Sequence, residues 1–167
     1  LIVPGEDGAL AGELFGTGDG EGALAVGALA RALPEGDWHF AAEPAWPNLA
    51  AIALALGGYV FTRYGKKPGK ALRFALPVGA DAAHVRRIAD GVFLARDLVN
   101  TPTSDMGPDE LEKAARTLAA AHKAEVSAIK GEDLLKQNFP MIHAVGRAST
   151  GAPRLTYMIG GPPGAPQ

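Results

Sequence analysis

The feature that most constrains the fold is a long apolar periodicity that ends at a threonine-proline pair. From Asp81, apolar residues recur at alternating spacings of three and four, which predicts an amphipathic helix of about five turns. The apolar stripe comprises Val85, Ile88, Val92, Ala95 and Val99. Because Thr101 precedes Pro102, its backbone avoids the helical region, and we expect the helix to end near Asn100.

A second helix is predicted shortly after this break. Pro108 suits the first helical position, and Asp109 and Glu110 lie where the helix dipole favours acids. Gly107 or a nearby polar residue is the expected cap. We expect one face of this helix to be shared by Leu111, Ala115, Leu118 and His122.

Shorter elements occupy the rest of the chain. Strands are predicted at Leu1–Val3, Leu10–Phe15, Trp38–Ala42, Leu72–Leu76, Glu125–Lys130 and Arg154–Ile159. Further helices are predicted at Ala23–Leu33, Leu49–Leu56 and Glu132–Gln137. This alternation predicts the α/β class, with a mainly parallel sheet in the second half of the chain. We expect an amino-terminal α/β domain over 1–78, a connecting helix over 79–100 and the start of another α/β domain over 101–167.

Composition excludes several classes of partner and site. A net charge of -2 offers no general attraction for nucleic acid or an anionic membrane, so we expect neither partner. The absence of cysteine excludes disulfides, thiolate metal ligands and cysteine nucleophiles, and it fits a reducing compartment, so we expect a cytoplasmic protein. The longest apolar run, Leu49–Leu56, is too short to span a bilayer.

A glycine-rich segment, Gly16–Gly22, follows a predicted strand and precedes a predicted helix, where phosphate-binding loops occur. Its glycines fall at every second residue rather than as G-x-G-x-x-G, and no Lys-Ser/Thr pair follows them. Asp19 and Glu21 would also repel a phosphate. A surface turn is therefore the favoured interpretation, with a nucleotide-binding domain as a weaker alternative.

Other residues that often carry chemistry are spaced in ways that favour structural roles. The histidines form no pair at helical spacing and no H-E-x-x-H motif; they are His39, His84, His122 and His143. The serines lack a G-x-S-x-G elbow; they are Ser104, Ser127 and Ser149. Acids lie in or beside the first turns of two predicted helices, where capping explains them; they are Asp105, Asp109, Glu110, Glu112, Glu132 and Asp133. A small basic loop is interpreted as a solvated turn and contains Lys66, Lys67 and Lys70.

Three segments in order along the chain resemble the leucyl (cytosol) aminopeptidase family of metallopeptidases. Arg96–Pro102, followed by Pro108 and Leu111, resembles that family's R-D-L-x-N-x-P segment and the first helix of its catalytic domain. Ala144–Ser149 with Pro153-Arg-Leu155 resembles A-V-G-x-x-S and P-x-L, and Gly57–Tyr64 resembles G-x-Y-x-F-x-x-Y. Asn138-Phe139-Pro140 departs from the glycine-rich turn often found before A-V-G.

The resemblance implies part of an amino-terminal α/β domain, joined to the first helices and strands of a mixed-sheet α/β aminopeptidase catalytic domain. In the family, two zinc or manganese ions are held by a lysine and several carboxylates, and a bridging water attacks the peptide carbonyl. The lysine and first carboxylate lie in a G-K-G-x-x-F-D-x-G-G segment, which does not occur before Gln167. The resemblance therefore assigns no catalytic, metal-binding or cofactor-binding residue here.

We accordingly expect a fragment of a two-metal exopeptidase that releases amino-terminal residues from peptides. The chain alone is predicted to be inactive, and the family implies a homohexamer in the cytoplasm. The alternative from the same resemblance is a non-catalytic binding or oligomer-assembly module.

Overall fold

The computed structural model describes residues 1–18, 22, 24–65 and 69–161. It divides into two compact units, Leu1–Asp97 and Leu98–Gln167. Helices and small sheets occur in both, so the expected α/β class is confirmed. Among the described helices, none combines the length and apolar character that crossing a membrane requires.

The first unit contains two small sheets and several helices. Strand β1 (Ile2–Pro4) pairs antiparallel with β2 (Leu10–Glu13). A 3₁₀ helix at Ala25–Ala28 leads into α1 (Leu29–Ala32). The remaining elements are β3 (Gly36–Trp38), α2 (Pro47–Gly57), β4 (Leu72–Phe74) and α3 (Ala82–Asn100). Strands β3 and β4 pair in parallel, with α2 between them in the chain.

The core of the first unit is built where α1 and α2 meet the parallel strands. Leu29, Leu33 and Leu54 are buried together, and Trp38 and Phe74 pack against them. Small residues allow the helices to approach closely, because a Cβ atom on Gly57 would lie only 2.0 Å from the carbonyl oxygen of Gly27. The many alanines and glycines of the 3₁₀ helix, α1 and α2 thus allow these helices to pack tightly.

Helix α3 begins at a side-chain cap and packs on α2. Asp81 Oδ1 accepts hydrogen bonds from the backbone N–H groups of Ala83 (2.9 Å) and His84 (3.0 Å). Val85 is buried with Ala51 and Ile52 of α2. The helix ends at Asn100 as expected.

The predicted apolar stripe of α3 is only partly correct. Val85 is buried, whereas Ile88 is 40% and Val99 is 84% exposed. The packing side instead continues through Phe93, which stacks on Tyr59, and Arg96, whose guanidinium donates to the carbonyl oxygen of Leu56 at 2.8 Å. An arginine stem and an aromatic ring thus replace aliphatic residues on the inner side.

The second unit contains α4 (Pro108–His122), β5 (Glu125–Lys130), α5 (Asp133–Lys136), α6 (Pro140–Gly146) and β6 (Arg154–Ile159). The bounds predicted for both strands are confirmed. The prediction of a mainly parallel sheet in this half is wrong, because β5 and β6 pair antiparallel. The backbone N–H of Gly131 donates to the carbonyl oxygen of Pro153 at 2.8 Å. The intervening segment therefore starts and ends at the same end of the sheet, which imposes the antiparallel direction.

Three local predictions also differ from the structure. The helix expected over Ala23–Leu33 is a 3₁₀ helix followed by the single turn α1, and residue 23 lies outside the described residues. The strand expected at Trp38–Ala42 ends at Trp38, because β3 has its parallel partner only over Gly36–Trp38. Helix α6 was not predicted as an element. Its seven residues are too few for a clear helical periodicity.

Candidate functional site

The histidines and acids singled out in the sequence do not assemble into a metal site. Among the described residues, no group of three or more His, Asp or Glu side chains lies close enough to hold a metal ion. His143 Nε2 lies 3.2 Å from Glu132 Oε1, an isolated contact between the start of α5 and α6. Asp133 pairs with Lys136 at 2.7 Å on the exposed surface of α5.

Capping, predicted for the acids that precede and begin α4, is confirmed for one of them. Glu110 Oε2 accepts a hydrogen bond from the backbone N–H of Gly107 at 3.0 Å, at the start of the helix. Glu112, in contrast, does not cap the helix. Its side chain is only 5% exposed and is surrounded by cations. The capping role expected for Glu112 is therefore wrong, because its carboxylate binds the side chains of Arg116, Lys130 and Arg154 instead of the backbone at the helix start.

Glu112 and these three cations, together with Asp109, form what we call the Glu112 cluster. Its members are Asp109, Glu112, Arg116, Lys130 and Arg154. Arg116 donates to Glu112 Oε1 through Nε and Nη2, both at 2.8 Å. Glu112 Oε2 lies 2.8 Å from Lys130 Nζ and 2.5 Å from Arg154 Nη1. Arg154 Nη2 also contacts Asp109 Oδ1 at 2.7 Å. Each oxygen of the buried carboxylate thus accepts two charged donors.

Three elements position the cluster. Helix α4 places Asp109, Glu112 and Arg116 at spacings of three and four, so that they lie on one side. Lys130 is the last residue of β5 and lies opposite Arg154, the first residue of β6, in the strand register. The pair Glu112 and Arg116 was visible in the sequence as an (i, i+4) spacing. The two strand residues could be added only once the antiparallel register was known.

The electrostatics keep the buried carboxyl group ionised. The hydrogen bond from Lys130, aided by those from Arg116 and Arg154 and opposed by burial, lowers the pKa of Glu112 from 4.5 to about 2. Burial alone would lower the pKa of Arg154, but its bonds to Glu112 and Asp109 outweigh this and raise it. Glu112 and Arg154 are therefore both charged at neutral pH.

A cavity of about 410 Å³ lies beside this cluster. All five members of the cluster line it, together with Lys113, Thr117 and Ala120 from α4. It is open to solvent, and Arg116 and Lys130 are about half exposed at its edge, at 49% and 47%.

The first unit contains a larger open groove of about 850 Å³, bounded by α1, α2, α3 and β4. Its lining is mainly aliphatic and aromatic. Polar groups at its edge already have partners. Lys70 Nζ donates to the carbonyl oxygens of Arg31 and Leu33, both at 3.2 Å, and Tyr59 donates to Asp97 Oδ1 at 2.6 Å. Among the described residues that line it, the groove thus brings together no set of groups suited to acid-base or nucleophilic chemistry.

The other residues that the sequence singled out either lie outside the described residues or form structural hydrogen bonds. Lys66 and Lys67 lie outside the described residues, as do residues 19–21 of the glycine-rich segment. Lys70 binds the end of α1 instead of pointing freely into solvent. Ser149 Oγ accepts a hydrogen bond from the backbone N–H of Gly151 at 3.3 Å, as expected for a polar loop residue.

Comparison with known families gives two matches that lie in sequence order. Residues 1–77 match the M17 aminopeptidase N-terminal domain, and residues 93–163 match the catalytic domain of the cytosol aminopeptidase family. A probable cytosol aminopeptidase of Mycobacterium leprae is 34% identical, with 64% of this chain aligned to 22% of that protein. The chain therefore spans about a fifth of the length of this relative.

Solved structures show the same fold. The cytosol aminopeptidase of Coxiella burnetii superposes with a TM-score of 0.84 at 34% identity, covering 95% of this chain and 35% of that one. The bottromycin maturation enzyme BotP, in complex with Mn, superposes with a TM-score of 0.76 at 24% identity, covering 98% of this chain and 39% of that one. Two consecutive domain matches and the superposition on a cytosol aminopeptidase together show that the chain belongs to the cytosol (leucyl) aminopeptidase family.

Proposed function

We propose that this chain supplies the scaffold of a metal-dependent cytoplasmic aminopeptidase that releases amino-terminal residues from peptides, and that the chain alone does not catalyse the reaction. The observation that supports it is the superposition on the Coxiella burnetii cytosol aminopeptidase, which covers 95% of the chain. The chain covers 35% of that protein. The hydrolytic reaction is therefore assigned to the whole enzyme and not to this portion.

The described residues of the chain do not fit a two-metal site. Such a site needs several carboxylate, imidazole or amine ligands around one point. The described His, Asp and Glu side chains form no such group, and Glu112 is already saturated by cationic donors. We therefore assign no step of peptide hydrolysis to a residue of this chain.

Inactivity is tested by the hydrolysis of leucine p-nitroanilide with added Mn²⁺ or Zn²⁺. We expect no turnover by the purified 167-residue chain above that of buffer containing the metal. Turnover that co-purifies with the chain and is lost on adding a chelator would contradict this part of the proposal.

The scaffold role needs a separate experiment. Residues 93–161 would replace the aligned segment of the Coxiella burnetii enzyme, and hydrolysis by the chimera would be measured. We expect activity to be retained, because the two backbones superpose. A chimera that folds, as judged by circular dichroism, but shows no hydrolysis would contradict the scaffold proposal.

A second candidate function is an assembly module without its own catalysis. It is favoured by large apolar side chains that the described structure leaves exposed, among them Val99 at 84%, Met141 at 75% and Val145 at 81%. Exposed apolar surface is typical of protein interaction sites. Light scattering tests this function: a discrete multimer of the 17.2 kDa chain supports it, and a monomer at all concentrations excludes self-assembly.

A further inference from the structure

We propose that the cavity beside the Glu112 cluster binds a small phosphate-containing anion. This site lies in the second unit and goes beyond the aminopeptidase proposal, since no step of hydrolysis depends on it. The residues around the cavity carry an excess of positive charge. The cavity is lined by four cations, Lys113, Arg116, Lys130 and Arg154, and by two acids, Asp109 and Glu112. Four positive and two negative charges leave an excess of +2 around one cavity.

The cavity also offers hydrogen-bond donors that have no partner within the described part of the chain. Glu112 occupies only part of the donor capacity of its partners, since an ammonium group has three N–H donors. Lys130 Nζ contacts Glu112 Oε2 alone among the described residues. The ammonium group of Lys113 has no hydrogen-bond or ion-pair partner in the described part of the chain. Donors therefore remain available at the cavity after all internal acids are satisfied.

The charged side chains beside the cavity are preorganised by their contacts with one another. Arg154 and Glu112 are only 6% and 5% exposed, and their mutual contact fixes the inner wall. Glu112 then holds Arg116 and Lys130 within 2.8 Å of its oxygens, so the charged ends of two flexible side chains are already close together. A ligand at this place does not have to bear the full entropic cost of ordering them.

The charge and the free donors of the cavity favour one class of ligand. A cation would be repelled by the excess positive charge, and a neutral apolar ligand would leave the charged lining without partners. A phosphate group offers several acceptor oxygens to donors that converge from different directions. The cavity of about 410 Å³ admits either inorganic phosphate with water or the phosphate of a small organic ester.

The proposal is tested by isothermal titration calorimetry of the whole chain with inorganic phosphate at constant ionic strength. We expect saturable binding with a dissociation constant of roughly 1 mM, as appropriate for a solvent-open site. Lys113→Met should weaken binding by roughly threefold, the effect of losing one exposed charge pair. Among the described residues, the Lys113 ammonium group forms no ion pair with the acids of the Glu112 cluster, so this variant should fold normally.

The matched control is Lys136→Met, because Lys136 pairs with Asp133 on the surface of α5 and does not line the cavity. Unchanged phosphate binding by this variant supports the site. Equal weakening by both substitutions, or no saturable heat beyond a chloride control, would overturn it. Tighter binding of glycerol 3-phosphate than of phosphate identifies an organic ester as the ligand. Equal affinity for the two compounds identifies inorganic phosphate as the ligand.

Discussion

The carboxylate of Glu112 is buried on helix α4 and forms ion pairs with three cations. A buried charge is costly unless it is paired and its lone pairs are satisfied. Here both oxygens are satisfied, by Arg116 on one and by Lys130 and Arg154 on the other. Burial on α4 is therefore compatible with ionisation. Removing the negative charge of Glu112 would leave the positive charge of Arg154, which is only 6% exposed, without one of its ion-pair partners.

The first prediction concerns the charge of Glu112. We expect Glu112→Gln to lower the free energy of unfolding by about 2–3 kcal/mol, because it leaves a buried guanidinium partly unpaired while the half-exposed cations can rehydrate. Chemical denaturation followed by circular dichroism measures this loss. The control is Asp133→Asn, which removes an exposed ion pair on α5 and should cost no more than about 0.5 kcal/mol. Equal losses in the two variants would contradict a special role for the buried carboxylate.

The second prediction concerns pH. The pKa of Glu112 is lowered to about 2 in the folded chain, against 4.5 without its partners. The folded state thus binds the proton less readily than the unfolded state, and the stabilisation is complete above pH 4.5. It is lost as pH falls from 4.5 towards 2. The stability difference between the wild-type chain and Glu112→Gln should therefore shrink over this window in acid titrations of thermal stability. A difference that stays constant down to pH 2 would contradict the assignment.

At the scale of elements, helix α3 places residues that share one apolar periodicity in different environments. Val85 and Val99 both belong to the apolar stripe, yet Val85 packs against Ala51 and Ile52 whereas Val99 is 84% exposed. The periodicity correctly predicts that a helix exists and where it ends. It does not predict which side each of its turns buries, because that depends on where α2 and the aromatic ring of Tyr59 lie.

The third prediction applies one substitution at both positions. Val85→Ala should lower the free energy of unfolding by about 1.5 kcal/mol, the value of two buried methyl groups. Val99→Ala removes the same groups from an exposed site, and its effect should be close to zero. Urea denaturation of the two variants compares them directly. A larger loss for Val99→Ala would show that this end of α3 has an apolar partner.

The fourth prediction concerns two helical glycines. A Cβ on Gly57 would lie 2.0 Å from the carbonyl oxygen of Gly27, whereas a Cβ on Gly91, within α3, would have no neighbour within 4 Å. Gly57→Ala should therefore lower the midpoint of thermal unfolding, because the 3₁₀ helix and α2 must separate. Gly91→Ala should stabilise the chain by about 0.5–1 kcal/mol through helix propensity. Effects of the same sign would contradict this account of the helix contact.

At the scale of the whole molecule, both units leave large apolar side chains exposed, such as Val78 in the first and Met141 in the second. Tyr157, Met158 and Ile159 at the end of β6 are each between 45% and 48% exposed. Among the described strands, β6 pairs only with β5. An apolar strand with an unpaired edge is a template for association between chains.

The fifth prediction follows from this edge. We expect the chain to self-associate as its concentration rises, and Ile159→Lys to reduce the association, because a lysine on an edge strand opposes pairing. Size-exclusion chromatography with light scattering gives the mass. Val78→Lys, at an exposed apolar residue outside the strands, is the control and should leave association unchanged. A greater reduction by the control would place the contact in the first unit instead.

The sequence by itself determined the features that depend on neighbouring residues. Proline at 102 and 108 set the end of α3 and the start of α4, and the sequence prediction marked β5 and β6 to the residue. The short motifs also indicated the family, since they lie in one order along the chain. These features could be inferred because local sterics and periodicity specify them without knowledge of distant partners.

Only the tertiary structure decided the direction of β6, the buried side of α4 and the role of Glu112. Each depends on residues far apart in the chain. The contact of Gly131 with Pro153 sets the strand direction, and the resulting register brings Lys130 and Arg154 to the carboxylate. The sequence pattern predicted a shared face of α4 that includes Leu111, but Leu111 is 53% exposed and the buried residues of this helix are Glu112 and Ala119. Charge pairing across three elements outweighed that pattern, because a carboxylate whose two oxygens are both paired can be buried where hydrophobicity alone would not place it.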